Sequence, residues 1–189
     1  MKKNIGVYNA IAPTPVTLVG AMVNGKPSWF EMVWVGIAEA DYVAVSIEDD
    51  HYTTPGITEN KIFSISLVDA PLLAKVDYAG TVSGKKVDKS NLFDWEKGEK
   101  GAPVPTDAPV TMEVEVVDTL QYGGSHLYVC KILNTYAKEE VLDKRGKIDF
   151  GGTFKPLLFE PRWNYLEIKG IKGKCTSFGR EYKKQQEEK

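Results

Sequence analysis

Residues 77–93 combine the side chains and backbone groups that bind a phosphate. The segment holds two glycines, three small hydroxyl residues and three lysines: Gly80, Gly84, Thr81, Ser83, Ser90, Lys85, Lys86 and Lys89. A helix that ends near Gly80 and another that begins near Asp88 would leave free backbone N–H groups beside these hydroxyls and ammonium groups. The pattern therefore predicts an anion site.

The nucleotide P-loop does not explain this pattern. That motif separates its two glycines by four residues and follows its lysine with Ser or Thr. Here three residues separate Gly80 from Gly84, and Lys86 occupies the hydroxyl position. A solvated surface loop rich in Gly and Lys is the plainer alternative, and the composition of the segment leaves it open.

Short strands with frequent turns must position this segment. Asn24-Gly25 is typical of a two-residue hairpin turn between strands predicted over residues 15–23 and 26–37. Alternating apolar residues predict further strands over residues 42–48, 62–68, 110–116, 126–136 and 163–168. Six or seven short antiparallel strands favour a barrel or a sandwich over a parallel sheet.

Short helices and two irregular segments complete the chain. Thr54 is the expected N-cap of a helix with Pro55 at its first position, and Asp69 precedes a helix that ends near Gly80. Residues 94–108 carry glycines, prolines and mixed charge and are expected to form a loop. A polar C-terminal tail is expected over about residues 172–189, and its end, residues 180–189, is expected to fray.

Length and charge limit the class of protein. The 189 residues predict a single domain over residues 1–189, and a net charge of −2 favours neither nucleic acid nor an anionic membrane as partner. No apolar run reaches the ~20 residues of a membrane span. Cys130 and Cys175 lie far apart, which suits free thiols in a reducing compartment. We expect a soluble, cytoplasmic protein without nucleic acid or membrane partners.

Two other patterns have plain explanations. His51, His126 and Cys130 are too few and too scattered for a metal site, so no metal is expected. Glu113 and Glu115 share a strand face and could pair for acid–base chemistry, but the solvated face of an amphipathic strand explains them better.

Residues 77–90, read as Asp-Tyr-Ala-Gly-Thr-Val-Ser-Gly-Lys-Lys-Val-Asp-Lys-Ser, resemble the motif of the flavoredoxin branch of the flavin reductase-like, FMN-binding split-barrel family. Similar stretches follow in collinear order over about residues 10–165, among them Pro13-Thr14-Pro15-Val16, Gly25-Lys26-Pro27, Trp34-Val35-Gly36, His51-Tyr52-Thr53 and Lys155-Pro156-Leu157-Leu158. The resemblance implies a mainly β fold, an antiparallel Greek-key split β-barrel with a few short helices.

The resemblance also implies a function. Members of this family bind FMN, form homodimers with the FMN near the interface, and move electrons from NAD(P)H through the flavin. The chain would then be an NAD(P)H-dependent flavin oxidoreductase or a flavoredoxin-type electron carrier, with the cofactor supplying the hydride chemistry and no catalytic side chain required. A non-catalytic FMN-binding module and a cofactor-free dimer of the same fold remain open as alternatives.

Carried over position by position, the resemblance implies twelve candidate contacts with the cofactor. They are Trp29, Phe30, Glu31 and Met32 at the flavin, Ser46, His51, Tyr52 and Thr53 around the ribityl-phosphate arm, Ser83, Gly84 and Lys89 at the phosphate and ring edge, and Trp163 beside the flavin or in the core. Without the resemblance, Trp29, Phe30 and Trp34 could equally be core residues.

Acidic residues depart from the family pattern. Glu31 stands where relatives usually carry a small hydroxyl residue, and Asp49 and Asp50 lie in a loop that is often basic. Carboxylates beside a flavin would repel its phosphate and lower its reduction potential. We therefore expect that these acids point to solvent or that FMN is held weakly.

Overall fold

The structure, a computed structural model, describes residues 1–187 and consists mainly of antiparallel strands. Its strands are β1 (Thr14–Pro15), β2 (Thr17–Val23), β3 (Lys26–Met32), β4 (Val35–Glu39), β5 (Tyr42–Glu48), β6 (Ile62–Leu67), β7 (Trp95–Lys97), β8 (Pro103–Pro105), β9 (Val110–Tyr122), β10 (Ser125–Ala137), β11 (Leu158–Glu160) and β12 (Asn164–Leu166). Its helices are α1 (Thr54–Asn60), α2 (Leu73–Thr81) and α3 (Ser177–Glu187), with short 3-10 turns at Ala70–Leu72 and Glu139–Val141.

The main sheet closes into a barrel because its two edge strands are neighbours in sequence. Its strand order is β3-β2-β6-β9-β10-β5-β4, with antiparallel pairing throughout. Only Val33 and Trp34 link β3 at one edge to β4 at the other. Two residues span at most about 10 Å between strand ends. The sheet must therefore curl until these edges approach each other, which gives the expected split barrel.

The Asn24-Gly25 turn sets the pairing of β2 with β3. Both residues have positive φ values, +51° and +76°, as a two-residue hairpin requires. The turn places Val23 opposite Lys26 and, further along, Gly20 opposite Trp29. The predicted hairpin is confirmed.

Two apolar clusters lie on opposite faces of the barrel wall. One fills the interior with residues such as Val19, Phe30 and Tyr128. The other packs α2 and the segment that follows it against the outer face, around Leu18, Trp29 and Phe93. Because successive side chains of a strand point to opposite faces, the neighbours Trp29 and Phe30 belong to different clusters.

Three sequence-based element boundaries were wrong. The strand predicted over residues 26–37 is broken at Val33-Trp34 because the chain crosses there from one edge of the sheet to the other. Residues 94–108 contain the β7–β8 hairpin, whose Ala102 and Pro103 are buried. The C-terminal tail forms α3 rather than fraying through residue 187, and residues 188 and 189 of the predicted tail lie outside the described residues.

The assignment of Glu113 to a solvated strand face was also wrong. This residue is fully buried, because the β7–β8 hairpin covers its part of β9. Its carboxylate accepts hydrogen bonds from the amides of Lys100 and Ala102 at 2.9 and 3.0 Å. The Asn134 amide and the Tyr136 hydroxyl donate two more, at 2.9 and 3.0 Å. Although burial alone would raise its pKa, these donors hold the pKa of Glu113 below its usual value.

Among the described residues, no helix combines the length and the apolar character that crossing a bilayer requires.

Candidate functional site

A cleft of about 260 Å³ opens between β3, the loop after β5 and the segment that ends α2. We use the word cleft for the space lined by Ser28, Trp29, Phe30, Glu48, Asp50, His51, Tyr52, Thr53, Ala79, Gly80, Thr81, Val82, Ser83, Gly84 and Lys89. Residues 28–30, 48–53 and 79–89, which are far apart in sequence, thus meet at this cleft. Strand β3 contributes one residue to each apolar cluster here, Trp29 to the outer one and Phe30 to the interior one.

The loop after β5 turns sharply to bring Thr53 to the cleft. The amide of His51 donates to the Glu48 carbonyl at 3.3 Å, and the hydroxyl of Thr54 donates to the same oxygen at 3.1 Å. Thr54 therefore lies inside α1, and Thr53, one residue earlier than predicted, is the N-cap. The Thr53 hydroxyl is buried and has no hydrogen-bond partner among the described residues, which leaves it available to a ligand.

The segment after α2 forms a compact turn instead of the predicted second helix. Helix α2 ends at Thr81, and the amides of Lys86 and Val87 both donate to the Ser83 carbonyl. No helix begins at Asp88; its carboxylate accepts from the Ser90 amide at 2.9 Å and pairs with Lys26 at 3.2 Å. Hydrogen bonds from Ser90 and Lys26 lower the pKa of Asp88 to about 2. The side chain of Asp88 thus shapes the turn.

Lys89 is a buried cation at the cleft. It is only 6% exposed, and its ammonium group donates to the carbonyl oxygen of Ala79 at 2.6 Å. Burial lowers its pKa from 10.5 to about 8, and none of the described carboxylate side chains forms an ion pair with it. An ammonium group has three donors, and a buried charge normally has a counter-charge. The geometry suits an anionic ligand.

Gly84 allows the turn to lie flat against an aromatic ring. A Cβ atom at this position would lie 2.6 Å from Cδ1 of Tyr52, closer than van der Waals contact allows. The turn and the loop after β5 therefore approach each other through the backbone of Gly84 and the ring of Tyr52. This close approach narrows the cleft beside Ser83, Thr53 and Lys89.

Aromatic side chains form the apolar wall of the cleft. The ring centroids of Trp29 and Phe93 lie 5.4 Å apart in an edge-to-face arrangement, and those of Phe30 and His51 lie 4.8 Å apart. Burial lowers the pKa of His51, which favours a neutral imidazole. The indole N–H of Trp29 is buried without an acceptor in the described part of the chain. The cleft thus places an apolar wall next to a cationic, hydroxyl-bearing one.

Some acidic residues of the loop after β5 line the cleft, and another pairs with a side chain outside it. Asp49 lies 2.6 Å from Nδ1 of His126, and its other oxygen accepts from Gln121. Asp50 and Glu48 line the cleft, and Glu48 lies 3.9 Å from Nε2 of His51. Of the two aspartates, Asp50 lines the cleft and Asp49 is directed to His126 and Gln121.

The cleft brings together eight of the twelve candidate residues: Trp29, Phe30, His51, Tyr52, Thr53, Ser83, Gly84 and Lys89. The other four lie elsewhere. Glu31 packs behind Gly80, and Met32 belongs to the interior cluster. Ser46 is half-buried on β5 opposite Leu127, and Trp163 is 85% exposed, with its ring edge-on to Phe159.

Seven cleft residues were not among the twelve candidate contacts. Ala79, Gly80, Thr81 and Val82 belong to the segment 77–93 that the sequence predicts as an anion site, although none of the four was assigned a contact with the cofactor. Asp50 was named only as a departure from the family pattern, and Ser28 and Glu48 were missed because their signal in the sequence is position alone, close to predicted site residues.

Among the side chains that the structure describes, no three His, Cys, Asp or Glu residues gather as metal ligands.

Comparisons with known proteins match a family model to most of the chain and find the same fold in solved structures. The model of a family described as "Flavin reductase like domain" matches residues 10–162. The crystal structure of a flavoredoxin from Methanosarcina acetivorans is 35% identical, with a TM-score of 0.88 over 96% of this chain and 100% of that one. A flavoredoxin of Desulfovibrio vulgaris (Miyazaki F) is 28% identical, with a TM-score of 0.86 over 95% and 100%.

A curated relative is longer than this chain. An uncharacterized protein from Aeropyrum pernix is 28% identical over 121 residues, which are 62% of this chain and 45% of that protein. The matched part thus spans less than half of the curated relative.

Proposed function

Because the chain belongs to the flavin reductase-like domain family, we propose that it binds FMN in the cleft and acts as an NAD(P)H-dependent flavin oxidoreductase or a flavoredoxin-type electron carrier. The observation that carries the proposal is Lys89, a buried ammonium group that faces the cleft without a carboxylate partner among the described residues. A phosphate would supply the missing negative charge.

The polar side of the cleft fits a phosphate and its ribityl chain. Lys89 has free donors, the Thr53 hydroxyl is buried without a partner, and Ser83 adds a second hydroxyl. Gly84 offers an amide at a place where a side chain would collide with Tyr52. Hydroxyl, amide and ammonium groups around one small space are the donors that proteins use for phosphate.

The apolar side of the cleft fits a flavin ring. Trp29 and Phe30 line this side of the cleft, and the indole N–H of Trp29 is a buried donor without an acceptor among the described residues. The volume of about 260 Å³ is below the ~300–1,000 Å³ of typical small-molecule pockets. Part of the cofactor would therefore extend beyond the cleft and need a second surface to cover it.

Bound FMN supplies the hydride and electron transfer. The residues of this chain would bind and orient it. Lys89 and Thr53 would fix the phosphate end, and Trp29 and Phe30 would fix the ring and exclude water from its buried side. His51, neutral because burial lowers its pKa, would add no charge beside the ribityl arm.

We propose a homodimer with FMN near its interface. Ile37 lies on the edge strand β4 and is 89% exposed, and Trp34 lies just before this strand and is 56% exposed. Val117, Leu120 and Tyr122 expose further apolar surface near the tip of the β9–β10 hairpin. An edge strand with exposed apolar residues, such as β4, and exposed apolar patches are both typical of interfaces. A cytoplasmic location is part of the proposal, supported by the two free cysteines.

The test is a visible absorption spectrum of the purified protein, followed by FMN titration with tryptophan fluorescence. A flavin spectrum, or quenching at low micromolar FMN, supports the proposal, and oxidation of NADH and NADPH is then measured with FMN present. Protein that is colourless and unresponsive to FMN, FAD and riboflavin contradicts it and leaves the cofactor-free dimer.

A non-catalytic FMN-binding module is the second candidate. Glu48 and Asp50 add negative charge to the cleft, which would lower the reduction potential of a bound flavin and so disfavour its reduction by NADH or NADPH. Tight FMN binding without oxidation of NADH or NADPH would favour this candidate over the oxidoreductase.

A further inference from the structure

Behind the helical wall of the cleft, three ionisable side chains meet from three elements. Glu31 comes from β3, Asp77 from α2 and Tyr165 from β12. The Tyr165 hydroxyl lies 2.7 Å from Oδ1 of Asp77, and the Glu31 carboxyl is its second hydrogen-bonding neighbour. A Cβ atom on Gly80 would lie 2.8 Å from Oε2 of Glu31, so this carboxyl packs directly behind a residue that lines the cleft.

The number of protons in this cluster decides its charge. A tyrosine hydroxyl carries one hydrogen and accepts through its lone pairs, whereas an ionised carboxylate only accepts. If the Tyr165 hydrogen points to Asp77, Glu31 can bond to the same oxygen only by donating. Donation requires a protonated carboxyl. With both acids ionised, one carboxylate would face a lone pair of the phenol.

Burial assigns the proton to Glu31 rather than to Asp77. Oε1 of Glu31 is fully buried and accepts no hydrogen bond from the described residues, whereas Asp77 is exposed. An ionised carboxylate with a buried, unpartnered oxygen costs more free energy than a neutral acid in the same place. Burial is also the largest influence on the pKa of Glu31 and raises it; hydrogen bonding with Tyr165 lowers this pKa, and the Asp77 charge raises it, so that the net direction is upward.

We propose that Glu31 is a positioning residue that holds a proton in the folded protein, and that the hydrogen-bond chain from Glu31 through Tyr165 to Asp77 fixes the helical wall of the cleft. The charged groups that act on Glu31 are Asp77 of α2 and the Tyr165 phenol of β12. Lys89, from the turn after α2, reaches the carbonyl of Ala79, next to Gly80.

The proposal has a consequence for ligand binding that rests on the proposed function. Protonated Glu31 adds no negative charge behind Gly80, so the cation of Lys89 on this wall is opposed by the exposed carboxylate of Asp77 alone. Ionisation of Glu31 would place a second carboxylate charge in the cluster and repel both Asp77 and the ligand phosphate. FMN affinity should therefore fall as Glu31 loses its proton.

The deciding experiment compares wild type with Glu31→Gln, whose amide can donate to Tyr165 as the protonated acid does. Infrared spectra at about pH 7 should show a carboxylic-acid C=O band in the wild type that is missing in Glu31→Gln. The matched control Glu115→Gln removes an exposed carboxylate of β9 and should keep the band. Tyr165→Phe removes the acceptor and should move the band to higher frequency. No band difference between wild type and Glu31→Gln overturns the proposal.

Thermal unfolding supplies a second readout without flavin. A carboxyl whose folded pKa is raised makes the protein lose stability as pH rises from the unfolded pKa through the folded one. The Tm of the wild type should therefore fall relative to that of Glu31→Gln over this range, and the two should converge at about pH 4. A Tm difference that does not change with pH overturns the proposal.

FMN titration tests the link to the cleft. The Kd of the wild type should match that of Glu31→Gln at about pH 5 and exceed it by about fivefold at high pH. The ratio of the two values cancels the titration of the FMN phosphate and of Lys89, which both proteins share. Equal Kd values at every pH would remove the link. If neither protein binds FMN, the proposed function fails, while the infrared and unfolding results still decide the proton on Glu31.

Discussion

The ammonium group of Lys89 donates a 2.6 Å hydrogen bond to the carbonyl oxygen of Ala79, in the last turn of α2. The last four carbonyls of a helix lack partners within the helix and carry its negative partial charge. The turn after α2 therefore folds back so that its own lysine caps the helix from which it emerges. The same lysine faces the cleft, and its remaining donors are free for a ligand.

Replacing Lys89 with Met should weaken FMN binding by about ten- to a hundredfold, because a buried charge-assisted hydrogen bond to the phosphate is lost. Riboflavin, which has no phosphate, should lose less than about threefold. Fluorescence titration of both flavins measures the two effects. Lys86→Met, which removes an exposed lysine of the same turn, is the matched control. Equal losses for both flavins would place Lys89 away from the phosphate.

The lowered pKa of Lys89 gives binding and stability opposite pH dependences. FMN affinity should fall above about pH 8, where the ammonium group loses its proton. The unfolded lysine keeps its proton up to its usual pKa, so the unfolded state binds more protons in this range. The flavin-free protein should therefore gain stability, relative to Lys89→Met, as pH rises from about 8 to about 10.5. Urea unfolding at several pH values measures this gain in stability. Unfolding free energies that change with pH in parallel for wild type and Lys89→Met would refute the prediction.

Gly84→Ala should lower FMN affinity by about tenfold and destabilise the fold by about 1 kcal/mol. Its Cβ atom would lie 2.6 Å from the Tyr52 ring, so the turn or the ring must move away from the cleft. Gly36→Ala in β4 is the matched control, because a Cβ atom there has no neighbour within 4 Å. Urea unfolding and FMN titration of both variants measure the effects. An unchanged Kd in Gly84→Ala would show that this approach does not shape the site.

Glu113→Ala should cost roughly 2–4 kcal/mol of unfolding free energy, because it leaves the donors of Lys100, Ala102, Asn134 and Tyr136 without their acceptor. Chemical denaturation measures the total, and hydrogen exchange should show faster exchange of the amides in the β7–β8 hairpin. Glu115→Ala, an exposed glutamate on the same strand, should stay within about 0.5 kcal/mol of wild type. Similar losses in both variants would contradict the role given to Glu113.

Ile37→Asp should dissociate the proposed homodimer without unfolding the protomer. Ile37 is 89% exposed on β4, so the change adds no buried charge within one chain but would bury one in an interface. Light scattering after size-exclusion chromatography measures the mass, and circular dichroism checks the fold. Ile171→Asp changes another exposed isoleucine, outside the strands, and should keep the dimer. A wild-type protein that is already monomeric would refute the homodimer.

Local patterns were enough to predict most strands, whereas the candidate site residues followed from the family resemblance. The Asn24-Gly25 hairpin and strand β5 follow from turn chemistry and alternation, and both are confirmed. The composition of residues 77–90 left a surface loop open, and the resemblance of this motif to the family pattern is what pointed to the turn that carries Ser83, Gly84 and Lys89.

What could not be predicted depends on contacts between distant residues. The break at Val33-Trp34 arises from barrel closure, which alternation within one strand does not reveal. Glu113 has the sequence context of a solvated residue and is buried only because a hairpin, itself mistaken for a loop, covers it. Asp88 looked like a helix start because an Asp residue can cap either a helix or a turn.

The turn at Asn24-Gly25 has an influence well beyond its own two residues. It fixes the register of β3 against β2, and a slip of one residue would exchange the faces on which Trp29 and Phe30 lie. The indole would then enter the barrel interior, and the smaller phenyl ring would replace it under α2. Insertion or deletion of one residue in this turn would therefore rebuild the floor of the cleft without changing any residue that lines it.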